Sequence, residues 1–78
     1  MDKPVPYDVV RLAIPLPAEH LLAGREGTVI EAFAFPDEAF LVEFPDDNGE
    51  TVALPILTAD QTVVVWKSPV AVPGRATT

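Results

Sequence analysis

The chain carries one histidine, His20, one serine, Ser68, and no cysteine. A serine nucleophile needs an imidazole within hydrogen-bond reach, and the imidazole needs a carboxylate to orient it. Here His20 falls in a Pro- and Ala-rich loop beside Glu19, and Ser68 opens a Pro-, Ala- and Thr-rich C-terminal stretch. Nothing in the pattern holds the two together, so His20 reads as an exposed loop histidine. Without cysteine, thiolate catalysis, thiolate metal sites and disulfides are all excluded. With a single histidine, a divalent site would have to be built from carboxylates. The expectation is therefore no catalytic residue, no metal site and no cofactor.

Two segments imitate ligand loops. Asp46-Asp47-Asn48-Gly49-Glu50 has the composition of a calcium loop, but lacks the alternating acidic spacing, the distal glutamate and the flanking helices of an EF-hand. It reads instead as a hairpin tip, because Asn-Gly accepts the positive φ that such turns demand. Gly24-Arg25-Glu26-Gly27 could pass for a phosphate cradle. It lacks the Lys-Ser/Thr pair and the following helix, and Glu26 would repel phosphate. Both glycines are better explained by backbone requirements, with positive φ at the turn.

The elements that position these residues are short strands. Asp8 to Ile14 alternates, with Val10, Leu12 and Ile14 on one face, and Pro15 and Pro17 end it. Ala18 to Leu22 suits one helical turn. Thr28 to Ala34 is a second strand whose broken alternation asks for a bulge near Gly27 or Val29. Pro36-Asp37-Glu38 is a turn. Ala39 to Pro45 is the cleanest strand, with Phe40, Val42 and Phe44 inward and Leu41 and Glu43 outward. Thr51 to Ile56 follows, with Val52, Leu54 and Ile56 as its expected inner set. Leu57 to Asp60 reads as a 3₁₀ turn and Gln61 to Trp66 as the closing strand. This pattern predicts one all-β domain, a five-stranded SH3-like barrel with a 3₁₀ turn before the last strand. Residues 1–6 form an extended lead-in, 7–67 the barrel and 68–78 a disordered tail.

Of the aromatic residues, Phe40 and Phe44 belong in the core, while Tyr7, Phe35 and Trp66 are candidates for exposure. Trp66 has a competing assignment, closing the bottom of the barrel. Val63-Val64-Val65-Trp66 is uncharged and β-prone, so it must be buried on both faces or covered by a partner.

Twelve carboxylates against five Lys and Arg residues give a net charge of −7. The cations Lys3, Arg11, Arg25, Lys67 and Arg75 are scattered, so nucleic acid is disfavoured, because phosphate neutralisation supplies most of such affinity. A basic protein partner fits better. Glu31, Glu43, Asp46, Asp47 and Glu50, on or beside outward strand faces, together with Trp66, are the candidate partner contacts. The N-terminus has no apolar signal core and no run reaches membrane-spanning length. A cytoplasmic protein is expected, with no membrane partner.

Asp8-Val9-Val10-Arg11-Leu12, Pro17 through Glu31, Phe40 through Phe44, Gly49 through Leu54 and Leu57 through Thr62 resemble a family of small uncharacterised bacterial proteins. The shared pattern is D-V-V-x-L, G-x-x-G-T-V-x-E, V-E-F, G-x-T-x-A-L and L-x-A-D. Thr62 stands where the family has an aliphatic residue, and the stretch from Ser68 is outside the pattern. The resemblance implies an SH3-like barrel and an immunity- or antitoxin-like protein that pairs with another. The G-x-x-G-T-V core is also similar to the ribosomal SH3-like motif that binds RNA. The leading expectation is a non-enzymatic protein-interaction module; the alternative is an RNA- or ribosome-associated one.

Overall fold

The computed structural model describes residues 3–69. Six strands follow one another: β1 (Val9–Leu12), β2 (Glu26–Phe33), β3 (Ala39–Pro45), β4 (Thr51–Ala53), β5 (Ile56–Leu57) and β6 (Thr62–Trp66). Short 3₁₀ turns lie at Pro17–Glu19 and Ala59–Gln61, the second directly before β6. Every pairing is antiparallel. The sheet runs β4-β3-β2-β1-β6, with β5 also on β3, and is open, with β4 and β6 at its ends. The all-β class and the turn before the last strand are as the sequence leads one to expect. Six strands replace five because Pro55, which has no N–H, interrupts the fourth. Its carbonyl still accepts the Val42 N–H at 3.1 Å.

Alternation sets the core. In β3, Phe40, Val42 and Phe44 are buried and the residues between them are half-buried. Val10, Leu12 and Val29 meet them from β1 and β2, and Leu21, Ala53 and Leu57 complete the cluster. β1 ends at Leu12, so Ile14 is exposed rather than inward. Leu21 fills the core from a loop held by a bridge to Leu16, whose N–H donates to the Leu21 carbonyl at 2.9 Å. The bulge in β2 lies between Val29 and Glu31, where the register against β3 shifts.

Two further expectations are overturned. Val52, Leu54 and Ile56 are exposed, while Ala53 and Leu57 are buried. The pairings Phe44 to Ala53 and Phe40 to Leu57 set this register, and a one-residue slip exchanges the two faces of a strand. Ser68, expected to open a loose tail, is buried. Residues 70–78 of that expected tail lie outside the described residues, as do residues 1 and 2 of the lead-in.

Two glycines answer to different requirements. Gly49 has φ +84° with open space around it, so its demand is conformational. Its N–H donates to the Asp46 carbonyl at 3.0 Å, closing a four-residue turn. Asn48 does not share the positive φ, so the turn rests on Gly49 alone. Gly27, expected in a positive-φ turn, is instead part of β2. A Cβ there would lie 2.6 Å from the Glu43 carbonyl oxygen and 2.8 Å from the Phe44 ring. Glycine lets β2 and β3 approach where the Phe44 ring folds under the sheet.

Candidate protein-interaction face

In an antiparallel sheet, directly paired residues present their side chains on the same face. Leu41, pointing away from the core, is paired with Glu31 on one side and Ile56 on the other. The next pair along β2 and β3 on this face is Phe33 with Ala39. Phe33, Phe35, Pro36, Asp37, Ala39 and Ile56 line an open groove of about 350 Å³. Phe35 is 86% exposed. One end of the outward face is therefore apolar.

The other end is acidic. Glu43 pairs with Thr28 and accepts a hydrogen bond from the Thr51 hydroxyl. At the hairpin tip the Asp46 carboxylate accepts the Asn48 and Glu50 N–H groups at 2.8 and 2.9 Å. Glu43 and Asp46 are thus engaged in holding β3 to β4. Glu31, Asp47 and Glu50 are exposed. The five acidic candidates share one side of the sheet, on β2, β3 and the tip, but two of them serve the hairpin itself. The sequence pattern missed the apolar partners of this face, Phe33 and Ile56. Ile56 was hidden by the register of β4 and β5; Leu41, read as outward, was the available signal.

Trp66 is elsewhere. It pairs with Val9 at the end of β6, two strands from β3, and is 52% exposed. It neither closes a barrel nor joins the acidic face.

The least expected residue is Asp8, whose side chain is solvent-inaccessible. One carboxylate oxygen accepts the Ser68 N–H at 2.9 Å. The other accepts the Val5 N–H at 3.0 Å and the Lys67 ammonium at 2.7 Å. Burial pushes the carboxyl up, but the hydrogen bonds from Lys67, Ser68 and Val5, with the Lys67 charge, outweigh it and hold the group below the usual range. A carboxylate so stabilised is a weak proton acceptor, which suits a clamp better than a general base. No local pattern marks it; in the sequence Asp8 is one acid among twelve.

His20 is exposed and caps the first 3₁₀ turn at φ +60°. Among the described residues, no three His, Asp or Glu side chains converge to hold a metal ion. In the segment similar to the RNA-binding motif, the Arg25 guanidinium donates to the Pro45 carbonyl at 2.8 Å, and Glu26 beside it is exposed. No helix among the described residues is long and apolar enough to cross a membrane.

No curated protein matches the chain, and no solved structure matches it. A family model does match, over residues 7–64, from Tyr7 beside the Asp8 clamp into β6; the chain belongs to the family described as Domain of unknown function (DUF4926).

Proposed function

We propose that the protein is a non-enzymatic protein-interaction module, of the immunity or antitoxin type that masks another protein, acting in the cytoplasm. The observation that carries this is the outward face of β2, β3 and β5. An apolar end around Phe35 and Ile56 adjoins an acidic end around Glu43 and Asp47. Exposed apolar patches rimmed by charge are the usual form of a protein-binding surface. The partner that fits presents apolar side chains beside cations, and the net charge of −7 would steer it in. The RNA-associated alternative has less support, since Arg25 is committed to the Pro45 carbonyl.

The test is capture followed by reconstitution from purified components. Bait protein and a Glu31→Lys/Asp47→Lys variant are compared; both positions are exposed, so the fold is spared. The expected result is a partner that reconstitutes with a dissociation constant of about 1 µM or tighter and associates at least ~10-fold more slowly with the variant at low salt. A partner that associates equally fast with both, or no partner that reconstitutes, refutes the reading.

A further inference from the structure

The two ends of the sheet are protected differently. The β4–β5 edge consists of strands of three and two residues, separated by Leu54 and Pro55. Short strands and proline both discourage strand addition. The β6 edge has neither device. Thr62–Trp66 is uncharged, contains no proline, and pairs only with β1. Val63, Val65 and Trp66 are 39%, 41% and 52% exposed. A bulge lies where β1 runs from Val9 to Val10 opposite Val65, leaving Thr62 to Val64 in regular register.

We propose that β6 is the dimerisation edge of this protein and that its occupant is β6 of a second copy, running antiparallel about Val64. In that register Val63 faces Val65 of the other copy and Thr62 faces Trp66. The pattern is self-complementary, as a two-fold interface requires. Charge selects the same arrangement. Asp60 stands just before the strand and Lys67 just after it. Antiparallel pairing brings unlike ends together, and parallel pairing brings like ends together. Two copies of net charge −7 repel, yet Glu31, Glu43, Asp46, Asp47 and Glu50 all belong to β2, β3 and the hairpin tip, on the far side of β1 from this edge. Of all sides, β6 is where two copies approach with least repulsion. Pairing consumes both open edges and leaves only the protected β4–β5 edges outside. Assembly therefore stops at two rather than growing into a fibre.

Sedimentation equilibrium of the full chain over about 10 µM to 1 mM reads this directly. The expected mass rises towards twice 8.4 kDa, and the emission of Trp66, the single tryptophan, moves to shorter wavelength over the same range. Val65→Lys, at an exposed position, weakens association at least ~10-fold by placing a charge on the edge. Val63→Glu/Val65→Lys recovers it, because each Glu meets a Lys of the other copy; the Glu also lies cross-strand from Arg11 within its own chain. Far-UV circular dichroism confirms that both variants are folded. A wild type that stays at 8.4 kDa throughout, or a folded Val65→Lys that dimerises unchanged, overturns the proposal. A double variant that stays monomeric overturns the antiparallel register on which it rests.

Discussion

The carboxylate of Asp8 and the ammonium of Lys67 lie 2.7 Å apart, although 59 residues separate them in the chain. The same carboxylate holds the N–H groups of Val5 and Ser68, so one side chain fastens the segment entering β1 to the segment leaving β6. These are the two strands whose ladder, Val9 to Trp66 and Val10 to Val64, ends beside it. A buried charge is costly unless every lone pair is used. Here three donors come from two distant stretches of chain, so the clamp forms only when both are in place.

Asp8→Asn is expected to cost about 2–3 kcal/mol at neutral pH, the lower end for a buried charged pair because Lys67 stays half in water. An amide can accept from Ser68 only by turning its NH₂ towards Val5 and Lys67, which are themselves donors. The pH dependence has a definite sign. The folded-state pKa of Asp8 is depressed, so its contribution is complete above the unfolded value of about 3.9 and is lost as pH falls through the lower folded value. Denaturant midpoints of wild type and variant should differ most near neutrality and converge below about pH 4. A gap that persists undiminished at low pH would show that the charge of Asp8 contributes nothing.

Gly27→Ala is expected to destabilise by about 2–3 kcal/mol, the range for forcing extra volume into a packed region. The added methyl meets a backbone carbonyl, that of Glu43, which cannot rotate aside as a side chain can. Gly24→Asn serves as the comparison. Gly24 has φ +91° and nothing near its missing Cβ, and asparagine is among the residues that best tolerate positive φ. It should cost no more than about 1 kcal/mol. Equal losses in denaturant midpoint would mean that close approach is not what Gly27 provides.

The contrast between these glycines shows what the amino-acid pattern carries and what it withholds. β3 was legible because Phe40, Val42 and Phe44 alternate with less apolar neighbours. β4 and β5 were not, because Val52, Ala53, Leu54, Pro55, Ile56 and Leu57 are apolar at every position. Alternation cannot choose a face there; the register is set by the Gly49 turn and by pairing with β3. The same ambiguity concealed the candidate face, whose acidic half was readable and whose apolar half required Ile56 to point outward. Asp8 was invisible for a different reason. Its burial depends on Val5, Lys67 and Ser68, and no local sequence pattern brings those groups together.

Gly49→Val is expected to cost about 1–3 kcal/mol and Asn48→Asp no more than about 0.5 kcal/mol. The space around Gly49 is open, so the loss reflects only its φ of +84°, which a β-branched residue resists. Asn48 contributes its backbone N–H to Asp46, and aspartate retains that group. Thermal or denaturant midpoints of the two variants measure the difference. Equal effects would mean that the tip does not depend on the backbone conformation of Gly49.

Phe35→Ser and Ile56→Ser are expected to change stability by no more than about 0.5 kcal/mol each, because both side chains are exposed. If the groove binds a partner, the same substitutions should raise the dissociation rate of the complex while leaving association nearly unchanged. Apolar contacts act mainly after encounter, whereas charges act before it. Surface-binding kinetics with the reconstituted partner separates the two. A variant slowed only in association would assign binding to the acidic end alone.

Nucleic acid should not bind detectably at physiological salt. Affinity for phosphate backbones grows with the number of phosphates that cations can neutralise. Of the described cations, Lys67 is held by Asp8, Arg25 donates to the Pro45 carbonyl, Lys3 lies 3.1 Å from Glu38, and Arg11 stands cross-strand from Glu26. Each has an acidic neighbour or a structural duty, so no groove of positive potential can form from them. Exposed pairs such as Lys3–Glu38 are weak and could open, but the net charge of −7 would still oppose the approach of a polyanion. Fluorescence titrations with single-stranded RNA and duplex DNA at about 0.15 M salt supply the measurement. A micromolar or tighter dissociation constant would reverse the ranking, placing the Gly24–Val29 segment rather than the acidic face at the centre of the protein's function.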